Sequence, residues 1–286
     1  MINALTIDVE DYWSILSRDW LKVPDARPSA AVLKNTRWYL EILNKYDVKA
    51  TFFILGEVAD SFPELIKEIA RDGHEIGAHG FYHRQIFKLT KDEFRKEVSD
   101  AKKLLEDICG QEVIGHRAPA FSLNAETQWA LEVLAEVDFK YDTSISPIAG
   151  RRYGWPNFKK NIHVVNLPSG KNIVEVPMSN ITVLGKELGV GGGYMRHFPY
   201  LYMKWAIKHI QKTRPVIVYM HPYEIDIEQR SFETQKLKHR DKKAVENFHK
   251  LQMRNRSSMK KKINNLLSDF RFTTISDIIQ RSNIQK

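Results

Sequence analysis

Apolar residues along this chain fall into two rhythms. Compact runs such as Ala4-Leu5-Thr6-Ile7, Lys49-Ala-Thr-Phe-Phe-Ile-Leu55 and Pro215-Val-Ile-Val-Tyr-Met220 read as buried strands. Shorter strands are predicted at Glu75-Ile76, from Val113 to Phe121, and over Phe139–Ser144. Between them, apolar positions three and four apart predict helices. One covers 29–47, with Leu33, Trp38, Leu40, Leu43 and Tyr46 inward and Ser29 as N-cap. A second covers about 60–72 and stops at Gly73. A third opens at the capping box Thr90-Lys-Asp-Glu93 and runs to Cys109, ended by Gly110. Others cover 125–137 and 199–212. Strand and helix thus alternate in units of parallel βα type, which predicts an α/β fold, a distorted barrel of about seven parallel strands. Catalytic groups in such folds gather at the carboxyl ends of strands.

After Pro147 the rhythm changes. Residues 150–198 are rich in Gly and Pro with short extended runs, and predict a β-rich insertion or lid. Residues 228–286 read as an appendage, helical from about 241 to 268, with a last strand near Phe270–Ile275. The whole of 1–286 is read as a single domain.

Composition narrows the class. Hydrophobic content of 43% and charged content of 28% suit a folded globular chain. The formal charge is +9, and Arg230–Lys262 alone holds 12 Lys or Arg against 3 Asp or Glu. The remainder is near neutral, which argues against a nucleic-acid-binding core. One cysteine, Cys109, excludes an intrachain disulfide framework and a Cys-rich zinc site. The sequence opens straight into a strand, with no signal-peptide pattern and no apolar run of the ~18 residues a membrane span needs. A cytoplasmic location is expected.

The chemistry lies in short polar clusters at the predicted strand ends. Asp8-Val9-Glu10-Asp11 places three carboxylates in four positions, an arrangement that calls for a compensating cation. Alternation puts Asp8 and Glu10 on one face; the plain alternative is an acidic loop with a helix N-cap. His74-Glu-Ile-Gly-Ala-His79-Gly-Phe-Tyr-His83 holds two histidines four apart, able to converge on one divalent ion. Further clusters are Arg117-Ala-Pro119-Ala-Phe121, Tyr141-Asp142-Thr-Ser144 and His221-Pro-Tyr-Glu224.

Taken together and in this order, these clusters resemble the five motifs of the polysaccharide deacetylases of carbohydrate esterase family 4, the NodB-homology group. Asp8-Val-Glu10-Asp11 corresponds to the family's acidic motif and His79-Gly-Phe-Tyr-His83 to its metal-binding histidine motif. Arg117-Ala-Pro119, Tyr141-Asp142-Thr-Ser144 and Tyr219-Met-His221 stand for the remaining three. Gly191-Gly-Gly-Tyr-Met-Arg196 and His221-Pro-Tyr-Glu-Ile-Asp226 further resemble a bacterial subgroup associated with exopolysaccharide synthesis and exosortase-type sorting systems.

The resemblance implies metal-dependent hydrolysis of an N-acetyl group on sugar. Glu10, His79 and His83 would bind a divalent ion, zinc by preference, with cobalt or nickel as substitutes; Asp11 is the alternative carboxylate. Asp8 would be the general base and His221 the general acid. Arg117 would pair with Asp8, and Asp142 would orient His221. The main-chain N–H after Tyr141-Asp142 would serve as oxyanion donor. Pro119, Phe121, Tyr141 and Tyr194 are candidate substrate contacts, and Tyr12, Trp13, Tyr153 and Trp155 could also stack on sugar. The partner expected is an N-acetylated carbohydrate; the basic segment 230–262 would add peripheral contact with anionic membrane. Two rival readings are a catalytically silent carbohydrate-binding scaffold and an amidohydrolase for a small amide or ureide.

Overall fold

The protein is described by a computed structural model that covers every residue except 151–153, 230, 233, 235–237, 283 and 285–286. Its strands are β1 (Asn3–Val9), β2 (Thr51–Ile54), β3 (Glu75–Ala78), β4 (Gly115–His116), β5 (Tyr141–Asp142), β6 (His163–Asn166), β7 (Asn172–Glu175), β8 (Asn180–Val183), β9 (Lys186–Gly189), β10 (Ile217–Met220) and β11 (Phe272–Thr273). The main sheet runs β10-β1-β2-β3-β4-β5-β7-β6, with β11 beside the start of β1. Each pairing on this path is parallel except β6 with β7. The path ends at β10 and β6, so the curled sheet is a half-barrel and not a closed one.

Period-2 alternation sorts the strand residues between the two faces. Asp8, Phe53, Gly77, Gly115 and Tyr141 stand side by side in register and form one row on the hollow face. Val9, Ile54, Ala78, His116 and Asp142 form the next row, on the opposite face, against the helices. The hollow face carries a small apolar cluster of Phe53, Tyr141, Val176 and Ile217, closed at one end by Ile275 and Ile278 of the helix Ile275–Arg281. The larger core lies on the helical side, where Leu40, Leu43, Leu65, Ile69, Phe94 and Val98 pack on the sheet.

Helix boundaries follow local chemistry. The helix Lys91–Cys109 has the full capping box: Glu93 N–H donates to Thr90 Oγ1, and Thr90 N–H donates to Glu93 at 2.8 Å. Gly110 ends it at φ +67°. Helices Ala30–Lys45, Pro63–Arg71, Trp129–Glu136 and Tyr200–Ile210 fall within the predicted ranges.

Three differences stand out. The acidic cluster is followed at once by a helix, Tyr12–Asp19, whose N-cap is Asp11. The 150–198 stretch is β-rich as expected, but β6 and β7 extend the main sheet and only β8–β9 forms a separate hairpin. The C-terminal helical run is two helices, His239–Met253 and Met259–Asp269, broken where Asn255 takes φ +63°. Arg256, just after the break, turns inward and is 1% exposed, stacked 5.2 Å from the Tyr12 ring and 5.3 Å from the Tyr223 ring. One positive charge of the basic segment thus belongs to the interior and not to a surface available for membrane contact.

The hollow-face row depends on two missing side chains. A Cβ on Gly77 would meet Phe53 at 2.5 Å, and one on Gly115 would meet Tyr141 Oη at 2.1 Å. Both rings fit only because their neighbours are glycine. Gly115→Ala should accordingly lower stability by about 1–3 kcal/mol, the usual range for an overpacked core. Urea unfolding with an unchanged midpoint would contradict this packing.

Candidate metal and catalytic centre

Asp8 is 2% exposed, and its Oδ1 accepts a hydrogen bond from Arg117 Nη1 at 2.6 Å. The same nitrogen donates to Thr6 Oγ1 at 2.7 Å, and Arg117 Nε donates to the Thr143 carbonyl at 3.3 Å. The guanidinium is wholly buried and lies 4.3 Å from the Phe53 ring centroid. Removing either member of so buried a pair leaves an uncompensated charge, at about 3–5 kcal/mol. The main-chain carbonyl of Arg117 lies 2.8 Å from His79 Nδ1. A carbonyl can only accept, so Nδ1 carries the proton and the Nε2 lone pair is left for the cavity.

That lone pair meets two others. His83 Nε2 lies 2.9 Å and His79 Nε2 3.4 Å from Glu10 Oε2, and the three potential ligand atoms sit within 4.8 Å of one another. Glu10 Oε2 and His83 Nδ1 are nonetheless buried without a well-formed hydrogen bond. Two imidazoles and a carboxylate converging without bonding one another well are the donor set of a divalent cation site. Burial pushes the Glu10 carboxyl up, but the charge of His83 and contacts from both histidines outweigh it and hold the group well below its usual range. Burial likewise pushes His83 down, and the charge of Glu10 reverses this and carries it up.

The two histidines do not share a helix face. His79 follows β3 directly, and the chain reverses through Gly80 at φ +74° and His83 at φ +60°. The loop is pinned from the side: Gly56 N–H donates to the Gly80 carbonyl and Glu57 N–H to that of Phe81. Pro119 packs on Gly80, its Cγ 3.4 Å from where a Cβ would stand, so it supports this loop and is not part of the cavity lining. Asp11 is turned into the helix cap, where Ser14 N–H and Ser29 Oγ each donate to one of its oxygens, at 2.8 and 2.7 Å, and it is not among the converging donor atoms. His74 is likewise structural: its Nδ1 accepts from Ala50 N–H at 3.2 Å, and burial pushes its pKa down to about 4.

His221 follows β10 and completes the group, with Nε2 4.0 Å from Asp8 Oδ2 and 3.7 Å from Glu10 Oε1. Its expected partner Asp142 is elsewhere. Asp142 lies on the helical face of the sheet, where it takes His116 Nδ1 at 2.7 Å and the N–H and Oγ of Ser144. Alternation forbids it the cavity. The residue beneath His221 is Glu224, with Oε2 3.4 Å from Nδ1 and 3.2 Å from the His221 N–H. Burial pushes His221 down, but the contact with Glu224 and the charges of Glu10, Glu224 and Asp8 carry it up to about 9.

The oxyanion donor expected after Asp142 is also spoken for: Thr143 N–H donates to the His116 carbonyl at 2.9 Å. Tyr141 points away from the cavity and donates to Glu75 at 2.9 Å. Phe121 and Tyr194 do line the cavity of about 500 Å³, which also contains Asp8, Glu10, His79, His83 and His221. Phe121 is aimed there by left-handed backbone at both Ala120 and Phe121, φ +53° and +50°. Tyr12 packs behind the wall against Tyr223, and Trp155 packs on Phe158 outside the cavity. Trp13 does not line it, and Tyr153 lies outside the described residues.

Glu224, Tyr223, Arg196 and Gln252 also line the cavity, and sequence reasoning gave none of them a role there. Glu224 had a readable signal, because Pro222 directly after His221 starts the 3₁₀ turn that folds position 224 back beneath the imidazole. Arg196 had one too: Gly191 and Gly192 lie flat on Tyr219, where any Cβ would clash within 2.4 Å, and so bring the next turn of chain to the cavity.

The half-barrel with this strand-end cluster defines an α/β fold of the NodB-like type. A crystal structure from Mycobacterium smegmatis, provisionally described as a polysaccharide deacetylase, shares the fold with a TM-score of 0.62 at 19% identity, covering 99% of this chain and 91% of that one. Residues 25–141 match the family described as Polysaccharide deacetylase, and residues 143–280 match a Domain of unknown function (DUF3473). The stretch 25–141, which carries His79, His83 and Arg117, is thus similar to the polysaccharide deacetylase family. Among curated relatives, a Bacillus cereus peptidoglycan-N-acetylglucosamine deacetylase is 37% identical over 101 residues, 35% of this chain and 37% of its own length. A Helicobacter pylori peptidoglycan deacetylase is 32% identical over 106 residues, 37% of this chain and 35% of its own. An Azorhizobium caulinodans chitooligosaccharide deacetylase is 39% identical over 80 residues, 28% of this chain and 38% of its own. This chain thus spans under half the length of these curated relatives.

Two measurements separate the assignments. His79→Ala should abolish one equivalent of bound divalent metal, read by elemental analysis of the purified protein; full retention would mean the ligands lie elsewhere. Glu224→Gln should reduce turnover about 10-fold or more, whereas Asp142→Asn should act on stability first. Equal kinetic losses from both, at unchanged stability, would restore Asp142 to the site.

Proposed function

We propose that this protein is a metal-dependent N-deacetylase acting on N-acetylated sugar in a poly- or oligosaccharide or its precursor. The observation that carries the reading is the convergence, in one cavity, of an Arg-fixed carboxylate, a His-His-carboxylate cluster and a histidine held from below. Glu10, His79 and His83 would hold the ion, with zinc expected and cobalt or nickel able to substitute. Such an ion, when bound, supplies Lewis acidity that lowers the pKa of water and polarises an acyl oxygen.

The remaining roles belong to the chain itself. Arg117 occupies one oxygen of Asp8, leaving Oδ2 on the cavity side to take a proton from the attacking water. The water oxygen adds to the acyl carbon, and the C–N bond then breaks with its electron pair leaving on nitrogen. His221 is charged at neutral pH and within reach of the same space, so it can pass its proton to that nitrogen. Acetate and a free amine result. Phe121, Tyr194, Tyr219 and Tyr223 supply aromatic faces suited to a sugar ring.

A silent binding scaffold would need neither Asp8 nor His221 in these positions, and their joint placement favours the enzyme. The small-amide reading is separated by substrate, through acetate release from N-acetylhexosamine oligomers against ammonia release from ureides. We further infer a role in exopolysaccharide or cell-surface glycan biosynthesis, from the resemblance of residues 191–196 and 221–226 to the exosortase-associated subgroup. A cytoplasmic site of action at the inner membrane fits this role. No helix among the described residues is long and apolar enough to cross a membrane. Peripheral contact with anionic lipid would use exposed Lys243, Lys250, Lys260 and Lys261, and would weaken as salt shortens the Debye length.

Asp8→Asn keeps the shape of the side chain and removes its basicity. Metal content should persist while kcat falls by about 10²–10⁴. Near-normal turnover in that variant would take the base role from Asp8.

A further inference from the structure

One wall of the cavity is built by the turn from Gly193 to Phe198 and by Gln252, and it is cationic. Arg196 is 3% exposed yet contributes to the cavity lining. Its Nη1 and Nη2 donate to the carbonyl and Oε1 of Gln252, while its Nε has no hydrogen-bond partner. Among the described residues no carboxylate stands within ion-pair distance of Arg196, in contrast to Arg117 with Asp8 and Arg18 with Glu57. A buried guanidinium without a counter-charge is costly unless something else supplies the charge. Other cations crowd the same wall. His197, also in the lining, has its pKa lowered by burial first and then by the charges of Arg196, Arg254 and Lys262, with Glu224 alone opposing them. Arg254 is exposed, two residues beyond Gln252.

Building on the deacetylase reading, we propose that this wall recognises an anionic group, a carboxylate or a phosphate, on the N-acetylated substrate. Arg196 supplies the positive charge that reads that group from the cavity wall, and Arg254, close enough for its charge to act on His197, adds to it. The substrate class is then an acidic N-acetylated sugar, not a neutral one. The aromatic faces nearby take the ring, and the N-acetyl group lies toward Glu10, His79 and His83.

The test uses the whole, metal-loaded protein and three probes: N-acetylglucosamine, its 1-phosphate, and N-acetylmuramic acid, which carries a carboxylate. Calorimetry at low salt should show at least one acidic sugar binding about 10-fold or more tightly than the neutral one, the usual effect of one charge-assisted hydrogen bond. Whichever acidic probe binds tighter identifies the anion. Arg196→Gln should remove most of that preference, with the neutral sugar shifting far less. Because Arg196 also ties Gln252 in place, Arg254→Gln is the second variant, expected to reduce the preference about 2- to 5-fold and to flatten its salt dependence. Equal wild-type affinity for all three sugars overturns the proposal. So does a preference that survives both substitutions, or an Arg196→Gln variant that weakens neutral and acidic sugars alike while Arg254→Gln changes nothing. Acidic sugars that bind selectively while no acetate is released from any probe would count against the deacetylase reading and leave the anion site standing.

Discussion

The cluster at the carboxyl end of this sheet rests on one buried ion pair, Arg117 with Asp8. Arg117 has no solvent to fall back on, so its charge is stabilised by Asp8, by the oxygens of Thr6 and Thr143 and by the face of Phe53. The oxygens among these partners come from β1 and from the turn after β5, and the guanidinium therefore joins strands far apart in the sheet. Its own carbonyl then sets the His79 tautomer. One residue thus aligns the proposed base, Asp8, with its side chain and the proposed ligand, His79, with its backbone, and both alignments fail together if the arginine moves.

The fold was legible because buried strands and amphipathic helices have different periods, and this chain keeps them distinct. Asp8, Glu10, His79, His83, Arg117 and His221 could be located for the same reason, since each stands at the carboxyl end of a predicted strand. Asp142 shows the limit of that reasoning. It too stands at a strand end, but a one-residue difference in parity puts it on the helical face with His116. Parity within a two-residue strand such as β5 is invisible without the neighbouring register. Glu224 and Arg196 were hidden differently, because irregular turns and not regular elements carry them to the cavity.

The two family matches divide the chain near residue 142, and the cavity ignores that division. Glu10, His79 and His83 lie before it; Tyr194, Arg196, His221 and Gln252 lie after it. The basic C-terminal segment is part of the same construction. Lys262 donates to the carbonyls of Met195, Arg196 and Phe198, satisfying the end of the short helix that presents the cationic wall. A segment that composition alone marks as a solvated appendage is thereby a structural buttress.

The position of β1 has a consequence for how the chain reaches this state. Its neighbour on one side, β10, is more than 200 residues away in sequence, while on the other side β2 is close and β11 pairs only with Asn3 and Ala4. During synthesis β1 can pair early with β2, but its other edge stays open until β10, more than 200 residues later, has emerged. Pairing across such a separation is slow, because loop closure must precede any reward from contact. The strand that carries Asp8 is therefore enclosed long after it is made, and until then its bare edge is open to wrong partners.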